Sequence, residues 1–380
     1  MTGLTNRFSK SYRPGRTIIV AIGCLPPPVT GKASATLAAV RAMTEFSDDM
    51  RVVNLPSTGG LVGSAQKLAF VALATLNLLR LRILGHKVIT YVPVDAGKGM
   101  WLTLAIAFSA RILRVQQLLH HHSWDYIAST RLLMKWTCRL TSDSDVHILL
   151  CSRMEGGFRY RYGSSLRSAT CVWDNAKLLD INLESETAPP EEDRTCLGED
   201  RPLRIGYLGN VTIEKGIDTA LALVAHLGDR VVLEVAGPIM SQEVSDLLEN
   251  FSTRQGSCLT LTGPVYSEEK REFFRRQDVL LFPSRYRHEA DPLTVLEALG
   301  EGLPVLATNR GCLADYLPSE WCLNEEDFVD DAAATISAWM SDPLTLDSSS
   351  LQARNIVGAR HASKKVPSLI VSAIEERGVE

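Results

Sequence analysis

Residues 282–308 read FPSRYRHEADPLTVLEALGEGLPVLAT, and the order of features in that stretch is strand, loop, helix, strand. Asp278–Phe282 is a short apolar run of the kind that forms a buried strand, and Pro283–Ala290 carries turn formers and charges. Asp291 stands where a helix N-cap belongs, with Pro292 at the first helical position, where a missing N–H does no harm. Helical spacing continues to Gly300, Gly302 and Pro304 stop it, and Pro304–Thr308 is again a strand. A strand, a helix and a second strand in this order make one βαβ unit of a parallel sheet.

The same rhythm extends in both directions. Towards the N-terminus it predicts strands at Leu203–Leu208, Val231–Ala236 and Cys258–Thr262, with helices near Ile217–His226, Val244–Phe251 and Glu268–Arg275. Residues 185–202, SETAPPEEDRTCLGEDRP, break it: they are acidic, carry three prolines and lack an apolar period, so they read as an interdomain linker. Before the linker a second series predicts strands at Thr17–Ile22, Arg51–Asn54, Val88–Val92, Val115–Leu119, His147–Cys151 and Thr170–Trp173. Helical patterns lie between them, notably at 33–45, 64–84 and 99–113. The expected architecture is α/β: two doubly wound, Rossmann-like parallel-sheet domains, 1–184 and 203–355, facing a central cleft, with a C-terminal helical stretch in 356–380. In such sheets ligands sit beyond the carboxyl ends of the strands.

A chain of 380 residues is long enough for two domains, and 45% hydrophobic with 22% charged residues is globular composition. The formal charge of −4 and the absence of a Lys/Arg block argue against a nucleic-acid partner. The 8 cysteines include no C-x-x-C pair and read as reduced thiols. No run reaches the roughly 18 apolar residues of a spanning helix, and the first sixteen residues are polar and basic, unlike an export signal. A cytoplasmic protein is expected. Ser64–Leu84, with Lys67, Arg80 and Arg82 and with Lys87 close by, reads as a helix packed on its own sheet. Peripheral attachment to an anionic membrane face is the alternative.

Chemistry is sought in the strand-to-helix loops. N–H groups of Leu293 and Thr294 at a helix start suit a diphosphate, while Glu289 and Glu297 suit sugar hydroxyls. A loop offering both fits a nucleotide sugar. Downstream of Leu203–Leu208, Lys215-Gly216 precedes a helix, where an ammonium can neutralise a diphosphate. In PPPVTGK (26–32), Gly31 permits close backbone approach at another helix start. A P-loop is excluded there, because Ala33 follows Lys32 where Ser or Thr is required, and no G-x-G-x-x-G follows a strand. The three histidines of LLHHHSWDYI (118–127) end a strand, where neighbouring side chains alternate in direction, so no metal site is expected. Asp143-Ser144-Asp145 reads as a turn.

These segments together resemble the family 4 retaining glycosyltransferases of the GT-B fold, in particular the bacterial polysaccharide-assembly members. Glu289 and Glu297 match the family's E-x7-E spacing within P-S…Y-x-x-E-A-x-P-x-x-x-L-E-A. By that resemblance Glu289 contacts the donor sugar and Glu297 the nucleotide ribose. Lys215 matches the lysine of the family's G-R-L…K-G loop, whereas Asn210 replaces its arginine, leaving more of the diphosphate charge to Lys215. Residues 26–31 resemble the P-P-V-x-G loop that closes over the donor diphosphate, which adds Gly31 and Lys32 to the donor contacts. His122 matches the histidine near the reacting sugar centre, with His120 and His121 as alternatives for sugar or acceptor contact. Gly216 backs the lysine, and Gly237 and Val265, in loops that end two strands, would frame the base. The resemblance implies a C-terminal helix in 356–380 that crosses back to the first domain, and transfer of a sugar from a nucleotide-diphosphate sugar to a lipid-linked or polysaccharide precursor, with no metal cofactor. A sugar-nucleotide epimerase on the same fold and a non-catalytic nucleotide-sugar-binding paralogue are the rival readings.

Overall fold

The computed structural model describes residues 16–27, 30–47, 49–56, 60–178, 201–361 and 366–375. Among these, residues 16–178 and 366–375 form one compact unit and 201–361 a second. Residues 1–15 and all of the expected linker except 201–202 lie outside the described residues.

The first unit runs β1 (Thr17–Gly23), α1 (Gly31–Met43), β2 (Asp49–Asn54), α2 (Gly60–Ile83), β3 (Lys87–Val94), α3 (Met100–Ile112) and β4 (Gln116–His121). It continues with α4 (Asp125–Ala128), α5 (Leu132–Leu140), β5 (Val146–Leu149), α6 (Ser152–Tyr162) and β6 (Ala169–Val172). All six strands are parallel, in the order β2-β1-β3-β4-β5-β6. Six of the seven residues of β1 are buried, as expected of a strand covered on both faces. Ile19 and Ile89 lie side by side in register and, with Tyr91, Leu118, Ile148 and Trp173, meet Ala39 and Met43 of α1.

The second unit runs β7 (Leu203–Leu208), α7 (Ile217–Leu227), β8 (Val231–Ala236), α8 (Gln242–Gln255), β9 (Leu259–Gly263), α9 (Ser267–Arg275) and β10 (Val279–Phe282). It closes with α10 (Leu293–Gly300), β11 (Val305–Thr308), β12 (Cys322–Leu323), α11 (Phe328–Ser341) and α12 (Pro343–His361). Its strands are also parallel, in the order β12-β11-β10-β7-β8-β9. Each sheet reverses direction once, between β1 and β3 in the first and between β7 and β10 in the second. Those two switch points are where such sheets take ligands.

Three expectations need correction. Asp291 does not cap α10: Pro292 occupies the N-cap without a side-chain hydrogen bond, and Asp291 is buried with Arg360 of α12 at 3.3 Å. The C-terminal stretch expected as one helix in 356–380 is two elements, the end of α12 in the second unit and α13 (Ser368–Glu375) in the first. Helix α13 lays Ile370 and Ile374 on the first core, and Lys87 Nζ donates to its Ala373 and Ile374 carbonyls at 2.9 and 3.1 Å. The strand before the histidines runs on to His121, two residues past the expected end. Among the described residues Cys24, Cys138, Cys171, Cys258 and Cys322 are free thiols.

Candidate functional site

The loops on either side of the second switch point are tied together. After β7 the chain passes Gly209 and the exposed Asn210, and Thr212 Oγ1 accepts the N–H of Lys215 at 3.1 Å. Gly216 then turns left-handed, with φ of 81°. A Cβ there would lie 2.0 Å from the Pro283 carbonyl oxygen, so only glycine lets this loop rest on the end of β10. Arg285 fastens the contact by donating to the Ile213 carbonyl at 2.7 Å and to the Asp218 carboxylate at 2.8 Å. The result places Lys215 Nζ on the Glu289 carboxylate, from opposite sides of the reversal. Ser284 Oγ donates to the same carboxylate at 3.1 Å, and the ammonium lies 4.9 Å from the Tyr286 ring centre and 5.6 Å from that of Phe282. A movable cation and a hydroxyl-accepting acid thus share one partly buried spot.

Glu297 sits apart from this pair. It lies on α10 and is bonded by Lys270 of α9, both half-buried. The first N–H groups bonded within α10 are those of Val295 and Leu296, which reach the Pro292 carbonyl at 3.2 and 3.4 Å. The N–H groups of Leu293 and Thr294 precede them, at the positive end of the helix. Gly237 and Val265 end neighbouring strands. The Gly237 N–H donates to the Gly263 carbonyl at 2.8 Å, and a Cβ on Gly237 would meet the Gly209 carbonyl oxygen at 1.8 Å. The three loop mouths after β7, β8 and β9 are therefore stacked backbone on backbone.

The first unit repeats the arrangement. Helix α1 starts at Gly31, and Thr30 Oγ1 caps it by accepting the Ala33 N–H at 3.2 Å. Lys32 in its first turn is ion-paired with Asp95, the residue directly after β3. This pair, too, bridges a switch point. The three histidines divide by strand alternation. His121 points one way, its Nε2 at 2.8 Å from His147 Nδ1 and its Nδ1 at 3.2 Å from the Tyr126 hydroxyl, and is part of the core. His120 and His122 point the other way, with ring centres 4.1 Å apart. His120 is held by the Tyr91 hydroxyl at 2.7 Å and lies parallel to the Trp173 ring, and burial pulls its pKa down to about 3. His122 is also shifted well below the usual imidazole range, by burial first, then by His120 and the Lys32 ammonium. It is therefore neutral near pH 7, and its Nε2 is buried without a protein hydrogen-bond partner.

The structure thus brings Lys215 and Glu289 together and groups Gly31, Lys32, His120 and His122 at the carboxyl ends of the central strands of the first sheet, while His121 belongs to the core and Glu297 to a separate pair. Sequence reasoning missed Asp95, Lys270, Ser284, Tyr286 and Arg285. Asp95 could have been found from its place directly after a strand beside the reversal. Lys270 lies in the charged run SEEKR and looks like a solvated helix face.

Residues 191–356 match the family model for glycosyl transferases group 1. Two curated relatives show similarity over part of the chain. Protein CapJ of Staphylococcus aureus is 25% identical over 33% of this chain and 33% of its own length. Sulfoquinovosyl transferase SQD2 of Arabidopsis thaliana is 26% identical over 38% of this chain and 28% of its own length. The chain therefore spans about a third of the curated relatives it matches. Among solved structures, Anabaena HepE in complex with UDP-glucose superposes with a TM-score of 0.66 at 15% identity, covering 90% of this chain and 95% of that one. Sucrose-phosphate synthase of Thermosynechococcus elongatus gives 0.68 at 18% identity, over 90% and 94%. The two six-stranded parallel sheets have the GT-B fold, and the second unit is similar to the glycosyl transferases group 1 family over residues 191–356.

Proposed function

We propose that this chain is a retaining, family 4 glycosyltransferase that moves a hexose from a nucleotide-diphosphate sugar to a lipid-linked or polysaccharide precursor on the cytoplasmic side, without a metal ion. The observation that carries the reading is the Lys215–Glu289 pair across the β7/β10 reversal. In the free protein the two charges satisfy each other. A donor diphosphate entering there takes the ammonium, and the released carboxylate turns to the sugar hydroxyls. As the bond from the anomeric carbon to the diphosphate breaks, negative charge grows on the leaving oxygen, where Lys215 and the N–H groups of Leu293 and Thr294 oppose it. By the resemblance, Gly31 and Lys32 are further donor contacts. The acceptor hydroxyl forms its bond on the face the diphosphate leaves, and its proton departs with that diphosphate. His122, neutral and with a spare Nε2, positions the sugar. Glu297 takes the ribose, exchanging Lys270 for it, and Gly237 and Val265 present backbone to the base.

Support comes from the matched family model and from HepE, a structural neighbour solved with UDP-glucose. The retaining outcome and the acceptor class rest on the E-x7-E resemblance. The test is a melting-temperature screen with UDP-, GDP-, ADP- and dTDP-sugars, followed by a transfer assay with the donor that binds. A donor at about a hundred times its Kd adds about 2.7 kcal/mol. Stabilisation by one base series and a product with retained anomeric configuration are expected. Inversion removes the retaining assignment, and donor turnover without a glycosylated acceptor favours an epimerase.

A further inference from the structure

Helices α2, α3 and α5 lie side by side on one face of the first sheet, and Thr75 Oγ1 of α2 bonds Ser109 Oγ of α3 at 3.0 Å. Each carries two apolar stripes where a covering helix needs one. On α2, Val71, Ala74, Leu78 and Leu81 are buried, while Leu73, Leu76, Leu79 and Ile83 face outward. On α3 the outward stripe is Trp101, Phe108 and Ile112, and on α5 it is Leu132 and Trp136. These nine side chains are 40% to 76% exposed, and their i, i+3, i+4 spacing lines them up along each helix. A contiguous apolar face of this kind on a chain with a solvated surface marks a docking site.

The charge around it says what docks. Residues 51–140 hold eleven Lys and Arg but only two acids, in a chain whose net charge is −4. Neither acid faces outward from these helices: Asp95 is paired with Lys32, and Asp125 is buried against Arg131 at 2.5 Å. The three helices run opposite to the parallel strands, so their C-terminal ends gather at the amino ends of the strands with Arg80, Arg82, Arg111 and Arg139. Beneath them is a cavity of about 510 Å³ lined by Arg82, Lys87, Arg111, Arg114, Gln116 and Ser144, with Asp145 as its acid. Arg139 also stacks over Trp136 at 5.2 Å, a combination suited to a headgroup boundary. Among the described residues no helix is long and apolar enough to cross a bilayer.

We infer that the α2–α3–α5 face docks on an anionic phospholipid bilayer. The outward stripes enter the acyl boundary, and the arginines at the helix ends take the headgroup phosphates. The inference is built from helix faces and does not use the strand-end loops of the proposed donor site.

The test is co-sedimentation of the full chain with vesicles of phosphatidylcholine alone or mixed with phosphatidylglycerol, read together with tryptophan emission. Binding at least tenfold stronger to the anionic vesicles, and weakened by salt, is expected. Leu76→Glu with Phe108→Glu should abolish it, and Arg82→Ser with Arg111→Ser should weaken it by about fivefold for each charge removed. Leu344→Glu with Leu351→Glu, at exposed positions of the second unit, should bind as the wild type does. The inference is overturned if the wild type ignores anionic vesicles or if the stripe variant still binds. It is also overturned if the chain is a dimer that the stripe variant splits, since a second copy would then own the face.

Discussion

Replacing Lys215 by Met separates what that residue does for folding from what it does in the proposed reaction. Its side chain is 25% exposed and that of its partner Glu289 11%. Removing the ammonium leaves a mostly buried carboxylate with Ser284 Oγ, at 3.1 Å, as its remaining side-chain donor. Such a group costs about 1–3 kcal/mol when its partner is lost. In a unit of this size that lowers the melting temperature by roughly 2–4 °C per kcal/mol. A lysine kept only to meet a diphosphate would leave stability untouched when lost, and the ion pair reverses that expectation. Glu289→Gln added to Lys215→Met removes the stranded charge and should recover most of the lost stability. Turnover should not recover: losing one preorganised charge at a developing anion costs about a hundredfold, and the second change removes the sugar contact as well. The assays are urea unfolding of the two variants and steady-state transfer with the donor that the melting screen identifies. A single variant as stable as wild type, or a double variant no more stable than the single, refutes the coupling. Wild-type turnover in either variant refutes the site.

Gly216→Ala should cost at least ~2 kcal/mol, because φ of 81° and contact with the Pro283 carbonyl oppose any Cβ, whereas Gly85→Ala, also at positive φ but in open space after α2, should cost only about 1 kcal/mol. Thermal denaturation of both decides it, and equal losses would count against the packing argument. Glu297→Ala should lower turnover about tenfold while leaving the melting temperature within a few degrees, since a surface pair such as Glu297–Lys270 contributes little to stability. A large fall in melting temperature would recast Glu297 as structural. Below about pH 6 the first unit should lose stability: burial lowers His120 and His147 to about 3, so the unfolded chain takes up protons that the folded one refuses. The loss amounts to about 1.4 kcal/mol per pH unit for each histidine between 6.5 and 3. Urea titrations at pH 7.5 and 5.5 measure it, and a flat or rising stability on acidification would contradict the burial of these rings.

The strands were legible because parallel sheets bury both faces, which leaves runs such as TIIVAI and LRIGYL without any polar alternation to confuse them. Leu203–Leu208 and Val231–Ala236 fall where the pattern puts them, and most other ends shift by a residue or two. What failed was local chemistry decided at a distance. Asp291 has every sequence mark of an N-cap, yet Arg360, sixty-nine residues away, draws its carboxylate into the interior. Neutralising a buried arginine outweighs one capping bond, which is worth only about 1 kcal/mol. Strand β12 has two residues and pairs only Ala307 with Cys322 and Thr308 with Leu323, too little apolar sequence to stand out from a loop.

The candidate site shows the same division between what chain order reveals and what only pairing reveals. Lys32, Lys215, Glu289 and the histidines sit in loops that a βαβ reading already places at the carboxyl ends of strands. Strand order, which no periodicity encodes, then decides which loops are neighbours. Once β3 pairs with β1 and β10 with β7, the loops after them must face each other, and in both units a lysine before or at a helix start meets an acid from across the reversal: Lys32 with Asp95, Lys215 with Glu289. The two pairs share geometry but not neighbours. Lys215 has aromatic rings and a hydroxyl-bound acid around it, whereas Lys32 raises the cost of protonating His122. The difference assigns them different work in the proposed reaction. In that reading the second pair opens to admit a diphosphate, while His122, kept uncharged by burial first and then by His120 and Lys32, holds a neutral sugar through a hydrogen bond.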